Sequence, residues 1–183
     1  GMNWQYAATY AEDGKHKEVI SFFDGSLHNR QSVTVLSSDN NAVVAETKYD
    51  YQGRGAVQVM PVPLSSQGIK FYSNFCTGFN KANFDVDSKV TSPDALGGSD
   101  AASVYYGHNN SATGFDAYVP DASGFAYTRT WLKTDGTGRV KRQSGVGTSH
   151  KMGSGHETKY FYGSPDSQSQ LDTLFGNDVG NVK

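Results

Sequence analysis

The stretch Glu46-Thr47-Lys48-Tyr49-Asp50-Tyr51-Gln52-Gly53-Arg54 restricts the chain most, because it dictates a reversal between two extended segments. Val43, Ala45, Thr47 and Tyr49 alternate with Val44, Glu46 and Lys48, the period-two pattern of a strand with one face in a core and one in water. Asp50 and Gly53 stand at the first and fourth positions of a type I turn. There the Asp carboxylate accepts from the backbone two residues on and Gly takes a positive φ. Beyond Arg54, Val57, Val59 and Pro61 share one face and Ala56, Gln58 and Met60 the other. Pro61 and Pro63 then remove donors that a ladder needs, which predicts the end of the strand.

Parts of this unit recur. Asp135-Gly136-Thr137-Gly138-Arg139 keeps the Asp-x-x-Gly-Arg spacing, and Asp24 to Arg30 is a looser version with two extra residues and Asn29 in the Gly position. Arg30-Gln31-Ser32 returns as Arg142-Gln143-Ser144, and Glu46-Thr47-Lys48-Tyr49 as Glu157-Thr158-Lys159-Tyr160, at nearly one offset. Order and spacing kept together predict a duplicated cassette.

Tyr49-Asp50-Tyr51-Gln52-Gly53-Arg54 resembles the YD repeat of the Rhs (rearrangement hot spot) proteins, whose unit is Tyr-Asp, two variable residues, Gly-Arg and a strand. The copy at Asp24 has Phe23 before it and no Gly, and the copy at Asp135 has Thr134 before it. The text around Phe22 to Gln31 and Lys159 to Gly163 also looks like the Rhs-type surface proteins of Bacteroidetes, so the resemblance covers most of 15–63 and 127–176. It implies hairpins wound into a large β-shell that encloses a toxin or forms an extracellular scaffold. Implied with it are a non-catalytic, secreted or cell-surface role, neighbouring repeats of the same long chain as partners, and no cofactor. Tyr49, Asp50, Gly53, Arg54, Asp135, Gly138, Arg139, Asp24 and Arg30 would be its structural motif residues.

Composition agrees with a β protein. Eleven Tyr, ten Phe and two Trp beside 21 Gly describe aromatic strands joined by glycine turns. Sixteen basic against eighteen acidic residues give no excess of Lys and Arg for a nucleic-acid or anionic-membrane footprint. No secretory leader and no membrane-spanning apolar run is present, and Gly1 before Met2 reads as the remnant of a removed tag. Cys76, the one cysteine, has no internal disulfide partner and reads as a buried small hydrophobe.

The fold predicted is mainly β: antiparallel hairpins and meanders in two related cassettes, 1–63 and 127–183, with a loop-rich insertion at 64–126, all in one unit. In the first cassette Trp4, Tyr6 and Tyr10 are expected to contact the sheet from a strand over 3–11. Strands follow over 17–23 and 32–36, with Val33 and Val35 on one face. In the insertion, Ile69 to Phe75, Val104 to Tyr106, Phe115 to Val119 and Phe125 to Tyr127 read as strands. Ser92 to Asp100 and His108 to Gly114 read as loops, with Phe71, Tyr105 and Phe115 packed over the sheet. Ser164, Pro165 and Asp166 open a predicted helix at 165–175, whose stripe of Leu171, Leu174 and Phe175 would cap the sheet and which Gly176 stops.

Residues able to carry chemistry are sparse. His150 and His156, with Glu157 adjacent, are weak metal candidates because their spacing matches no zinc motif, and a polar turn is the simpler reading. Gly145 and Gly147 belong to no phosphate-loop pattern. Asp94, Asp100, Asp116 and Asp121 lack EF-hand spacing and read as turn acids rather than calcium ligands. Arg54 and Arg139 are expected to satisfy carbonyls between neighbouring hairpins or to stack on strand aromatics. The function expected is a scaffold segment. The alternative is a carbohydrate-binding module that offers Trp4, Trp131, Tyr105 and Tyr106 to sugar rings, with glycans as partners. Open sheet edges would also allow self-association.

Overall fold

The structure is a computed structural model that describes residues 2–37, 41–65, 68–77 and 95–176. It is mainly β, as expected. Eight strands follow one another in a single open antiparallel sheet whose spatial order is the chain order. They are β1 (Asn3–Tyr10), β2 (His16–Phe23), β3 (Asn29–Leu36), β4 (Asn41–Tyr49), β5 (Gly55–Ser65), β6 (Tyr127–Leu132), β7 (Val140–Gln143) and β8 (Thr158–Lys159). Five strands thus lie before residue 66 and three after residue 126. They join where Val57, Gln58 and Val59 of β5 pair with Arg129, Thr128 and Tyr127 of β6.

One face of the sheet is dry. Ile20 and Phe22 of β2, Val33 of β3, Val44 of β4 and Val57, Val59 and Val62 of β5 form its floor. The insertion lies over them and contributes Phe75, Leu96, Ala102, Ala122 and Phe125 to the same core. Phe71 meets Phe22 edge-on at 5.5 Å, and Tyr105 packs against the core, as predicted. Phe115, by contrast, is 95% exposed.

The insertion contains no strand among its described residues beyond the end of β5. Residues 69–75 form turns, residues Ala101–Tyr105 form helix α1, and Gly114–Tyr118 form a 3₁₀ turn. Of the segment 125–127 only Tyr127 enters a strand. Ile69, Phe71, Phe75, Tyr105 and Phe125 are consumed by packing on the sheet face, where no strand edge is offered to them; context overrides their β preference. Residues 92–94 of the predicted loop lie outside the described residues, whereas 95–100 are loop and turn.

Three further expectations change. β5 continues through Pro61 and Pro63 to Ser65. The Pro61 carbonyl accepts from the Tyr106 hydroxyl at 2.6 Å, so it points away from β4. The missing N–H groups of Pro61 and Pro63 lie on that same side, past the end of the pairing with β6, where no ladder bond is lost. Trp4, Tyr6 and Tyr10 share one face of β1 yet are exposed, because the cover of the insertion stops short of this edge. Finally, the C-terminal helix α2 begins three residues late, at Gln168, and runs to Phe175. Its N-cap is Ser167, whose hydroxyl accepts from Gln170 N at 3.3 Å, and Leu174 and Phe175 are exposed rather than capping the sheet.

Candidate functional site

The repeated turns gather at one end of the sheet, since a meander returns there after every second strand. They join β2 to β3, β4 to β5 and β6 to β7. The central turn is built by one carboxylate. Asp50 Oδ1 accepts from Gln52 N at 3.0 Å and from Arg54 N at 2.9 Å, while Arg54 Nε donates to Oδ2 at 2.8 Å. Gly53 N donates to Asp50 O, and Asp50 N to Arg54 O. Gly53 has φ +75°, and a Cβ there would stand 2.6 Å from His28 Nε2. Both the backbone twist and the close approach require glycine.

The first turn has the same construction with different residues. Asp24 Oδ1 accepts from Ser26 N and His28 N at 2.9 and 3.0 Å, and Asp24 Oδ2 lies 3.2 Å from His28 Nδ1. Leu27 takes the place of Gly53, at φ +61°, and His28 takes the place of Arg54. The expected correspondence with Asn29 and Arg30 is thus replaced: both belong to β3, outside the turn. An exposed leucine in left-handed backbone gave no signal in the sequence. In the third turn Asp135 Oδ1 accepts from the Thr137 amide and hydroxyl at 3.0 and 2.6 Å, and Thr137 Oγ1 in turn accepts from Arg139 N at 3.3 Å. Gly138 there is at φ +69°.

The central unit fastens to both neighbours. Tyr49 stacks on His28 at 4.7 Å, and its hydroxyl donates to Asn29 O at 2.8 Å in the preceding hairpin. Arg54 donates from a second guanidinium nitrogen to Lys133 O at 3.0 Å in the following one. Arg139 lies 5.2 Å over the Tyr162 ring, beside Lys133 at 4.7 Å. One arginine thus spans hairpins and the other stacks on an aromatic.

Charge in these turns is held in place. Burial acts to raise the Asp24 carboxyl, but the backbone N–H groups of His28 and Ser26 and the imidazole outweigh it, leaving the pKa below the ordinary range. The Thr137 hydroxyl and amide hold Asp135 low in the same way. Glu157 is lowered by backbone hydrogen bonds, with Lys159 and Arg142 adding to the effect.

The four proposed sugar-binding aromatics do not form one platform. Trp4 lies on edge strand β1 and Trp131 on β6, with four strands between them. Trp131 is half-buried, and Lys141, Arg129 and Arg142 approach its ring at 4.5, 5.7 and 5.7 Å. Tyr105 and Tyr106 meet edge-on at 4.9 Å. Tyr105 donates to Asp116 Oδ1 at 2.8 Å; burial and this bond push its phenol up to about 12. With Leu64, Phe71, Tyr72 and Val104, Tyr105 lines an open groove of about 790 Å³ between β5 and α1.

The remaining candidates have structural surroundings. His150 and His156 meet edge-on at 6.1 Å, and among the described residues no group of three or more His, Cys, Asp and Glu converges to hold a metal ion. Asp100 is buried and accepts from the Thr77 amide and hydroxyl and from Gly97 N. Asp121 accepts from Ser123 N, and Asp94 lies outside the described residues. Cys76 is buried, which pushes its thiol up to about 12. No described helix is long and apolar enough to cross a membrane.

Sequence reasoning missed one cluster. The buried face of β4 carries Glu46, not only Val44 and Ala42, and Gln31 of β3 stands opposite it. Alternation alone could not say which face of β4 would be covered, and the recurrences of Arg-Gln-Ser and Glu-Thr-Lys-Tyr were the traces the cluster left.

No curated protein matches the chain. Residues 3–164, from the start of β1 to the segment before α2, match the family described as Domain of unknown function (DUF6443), and the chain belongs to that family.

Proposed function

We propose that this chain is a non-catalytic structural segment of a large Rhs-type, YD-repeat protein that is secreted or displayed on the cell surface, and that it forms part of a toxin-enclosing or adhesive shell. The observation that carries this reading is the two-sided fastening of the Tyr49–Arg54 unit, with Tyr49 holding the Asn29 carbonyl of one hairpin and Arg54 the Lys133 carbonyl of the next. Repeated along a longer chain, such a unit would stack hairpins side by side, which suits a wall better than a pocket. β1 supports the same reading. It pairs with β2 over eight residues without a register shift and contains neither a charge nor a proline, so its outer edge is ready to take a neighbouring strand or a second copy.

An antibody raised against this segment tests the proposal on fractionated cells of the source organism. A band far above 19.8 kDa in the secreted or surface-exposed fraction is expected. A cytoplasmic band near that mass would overturn it. A glycan-binding role draws on a separate observation, the groove in which the rings of Phe71, Tyr72 and Tyr105 border one opening. It predicts saturable binding in a glycan panel that Tyr105→Ala removes while the melting temperature stays within a few degrees.

A further inference from the structure

One buried carboxylate, Glu46, holds an amine on one oxygen and a primary amide on the other, Lys48 and Gln31, on the covered face of the sheet. Gln31 stands directly across from Glu46, and Lys48 lies two residues along β4 on the same face. Gln31 is 1% exposed, Glu46 6%, and the Lys48 side chain 13%. Lys48 Nζ forms an ion pair with Glu46 Oε1 and donates to the Cys76 carbonyl at 3.1 Å. Gln31 Nε2 donates to the other oxygen of the same carboxylate, Glu46 Oε2, at 3.3 Å, and to Tyr72 O at 3.1 Å. Gln31 Oε1 accepts from Tyr72 N at 2.8 Å.

Every role in an acyl transfer to an amine has a group assigned to it by this geometry. The Lys48 amine is the nucleophile, and the carboxylate touching it is a general base. The amide nitrogen that would leave touches the second oxygen of that carboxylate, which returns a proton as general acid. The carbonyl oxygen on which negative charge would develop already faces a backbone N–H. Exclusion of water protects the acyl carbon from hydrolysis.

We propose that Lys48 and Gln31 become joined by an autocatalytic isopeptide bond, with Glu46 as the proton shuttle and ammonia as the leaving group. Glu46 takes one proton from the Lys48 ammonium, and the freed lone pair attacks Gln31 Cδ. The tetrahedral oxyanion on Oε1 is held by Tyr72 N–H. Glu46 passes its proton to Nε2 and takes one from Nζ; the Cδ–Nε2 bond breaks and the Cδ–Nζ amide remains. The nitrogen leaves as ammonia and takes the proton that Glu46 still carries, departing as ammonium and restoring the carboxylate, so protons and charge balance with no oxidant, reductant or added cofactor. The product is a covalent staple between β3 and β4, independent of whatever role the whole sheet serves.

The chain carries its own control. In the recurring copy the glutamine that matches Gln31, Gln143, stands opposite Thr158 rather than Glu157, and Glu157 instead meets Lys159 at 3.9 Å and the Arg142 guanidinium, which has no carbonyl to attack, at 3.2 Å. Lys159 is also 44% exposed. The bond belongs to the first copy alone.

Intact-mass spectrometry and a peptide map of the purified full chain test this. The expected mass falls below the sequence mass by one ammonia, with a branched peptide uniting the Gln31 and Lys48 fragments and an unmodified Lys159. Glu46→Gln and Lys48→Arg are expected to restore the full sequence mass. A wild-type chain at full mass with unlinked Gln31 and Lys48 peptides overturns the proposal, and so does an ammonia lost at any other residue while those peptides stay separate. A Glu46→Gln chain that still links overturns the assignment of the shuttle. The wild-type map decides the bond by itself, whether or not the variants fold.

Discussion

Replacing Arg54 by alanine removes three contacts at once. The Asp50 side chain it pairs with is fully buried, and the guanidinium meets Oδ2 through Nε and a second nitrogen, each at 2.8 Å, while donating to Lys133 O. Breaking a buried pair by deleting one partner costs about 3–5 kcal/mol, because the remaining charge stays desolvated. Asp50 keeps its hydrogen bonds from Gln52 N and the backbone of residue 54, and the Arg54 side chain is itself 20% exposed, which places the loss near the lower end, about 3 kcal/mol. For a chain of this size each kcal/mol moves the midpoint by about 2–4 °C, so a fall in Tm of about 6–12 °C is expected by differential scanning calorimetry. Arg54→Lys should fall between the two, since an ammonium keeps the charge but cannot span Asp50 and Lys133 with planar donors. Asp50→Asn in the Arg54→Ala background should recover part of the loss, because the uncompensated charge is gone. An Arg54→Ala chain melting within 2 °C of wild type, about 1 kcal/mol or less, would refute the view that this pair holds the turn ladder together.

Asp24, Asp135 and Glu157 all have folded-state pKa values below those of the unfolded chain. Their contribution is therefore present above about pH 4 and is lost as pH falls through the lowered values, so Tm should drop from about pH 4 downward; a flat Tm between pH 5 and 3 contradicts this. Gly53→Ala should destabilise by about 1–2 kcal/mol in urea titration, since the methyl meets His28 and the backbone is left-handed; His28→Ala in the same chain should relieve only the clash. Leu27→Gly, at an exposed left-handed position, should raise stability by about 0.5–1 kcal/mol, and a lowered midpoint would show that the leucine makes contacts that matter. The Cys76 thiol should resist an aromatic disulfide reagent at pH 8 in the folded chain and react fully in denaturant; immediate stoichiometric reaction of the folded chain would refute its burial.

The turn at Asp50 was legible because every bond that makes it lies within five residues: the carboxylate, the two amides it accepts, the glycine and the arginine are neighbours in the chain. Alternation likewise gave most strands of the first cassette, since a hairpin needs only its two arms and its turn. The helix was visible from its leucines and from Gly176, though Ser167 rather than Ser164 became the cap, a choice between two nearby hydroxyls that local sequence does not rank.

What lay outside the sequence was whatever depends on a surface formed by distant residues. The segments around Ile69 and Tyr105 have the side chains of strands, but they meet a sheet face instead of a sheet edge, and a face offers apolar contact without backbone partners. Asp24 and His28 copy a turn whose glycine and arginine are missing, because Tyr49 and Gly53 of the next hairpin close over the imidazole and fix its place. The burial of Glu46 was decided only when the insertion covered one side of β4 and set Gln31 and the Tyr72 backbone around it. Local hydrogen bonding determines where this chain turns; only the pairing of the sheet and its covered face determine which polar groups are enclosed together, and so what chemistry they are placed to perform.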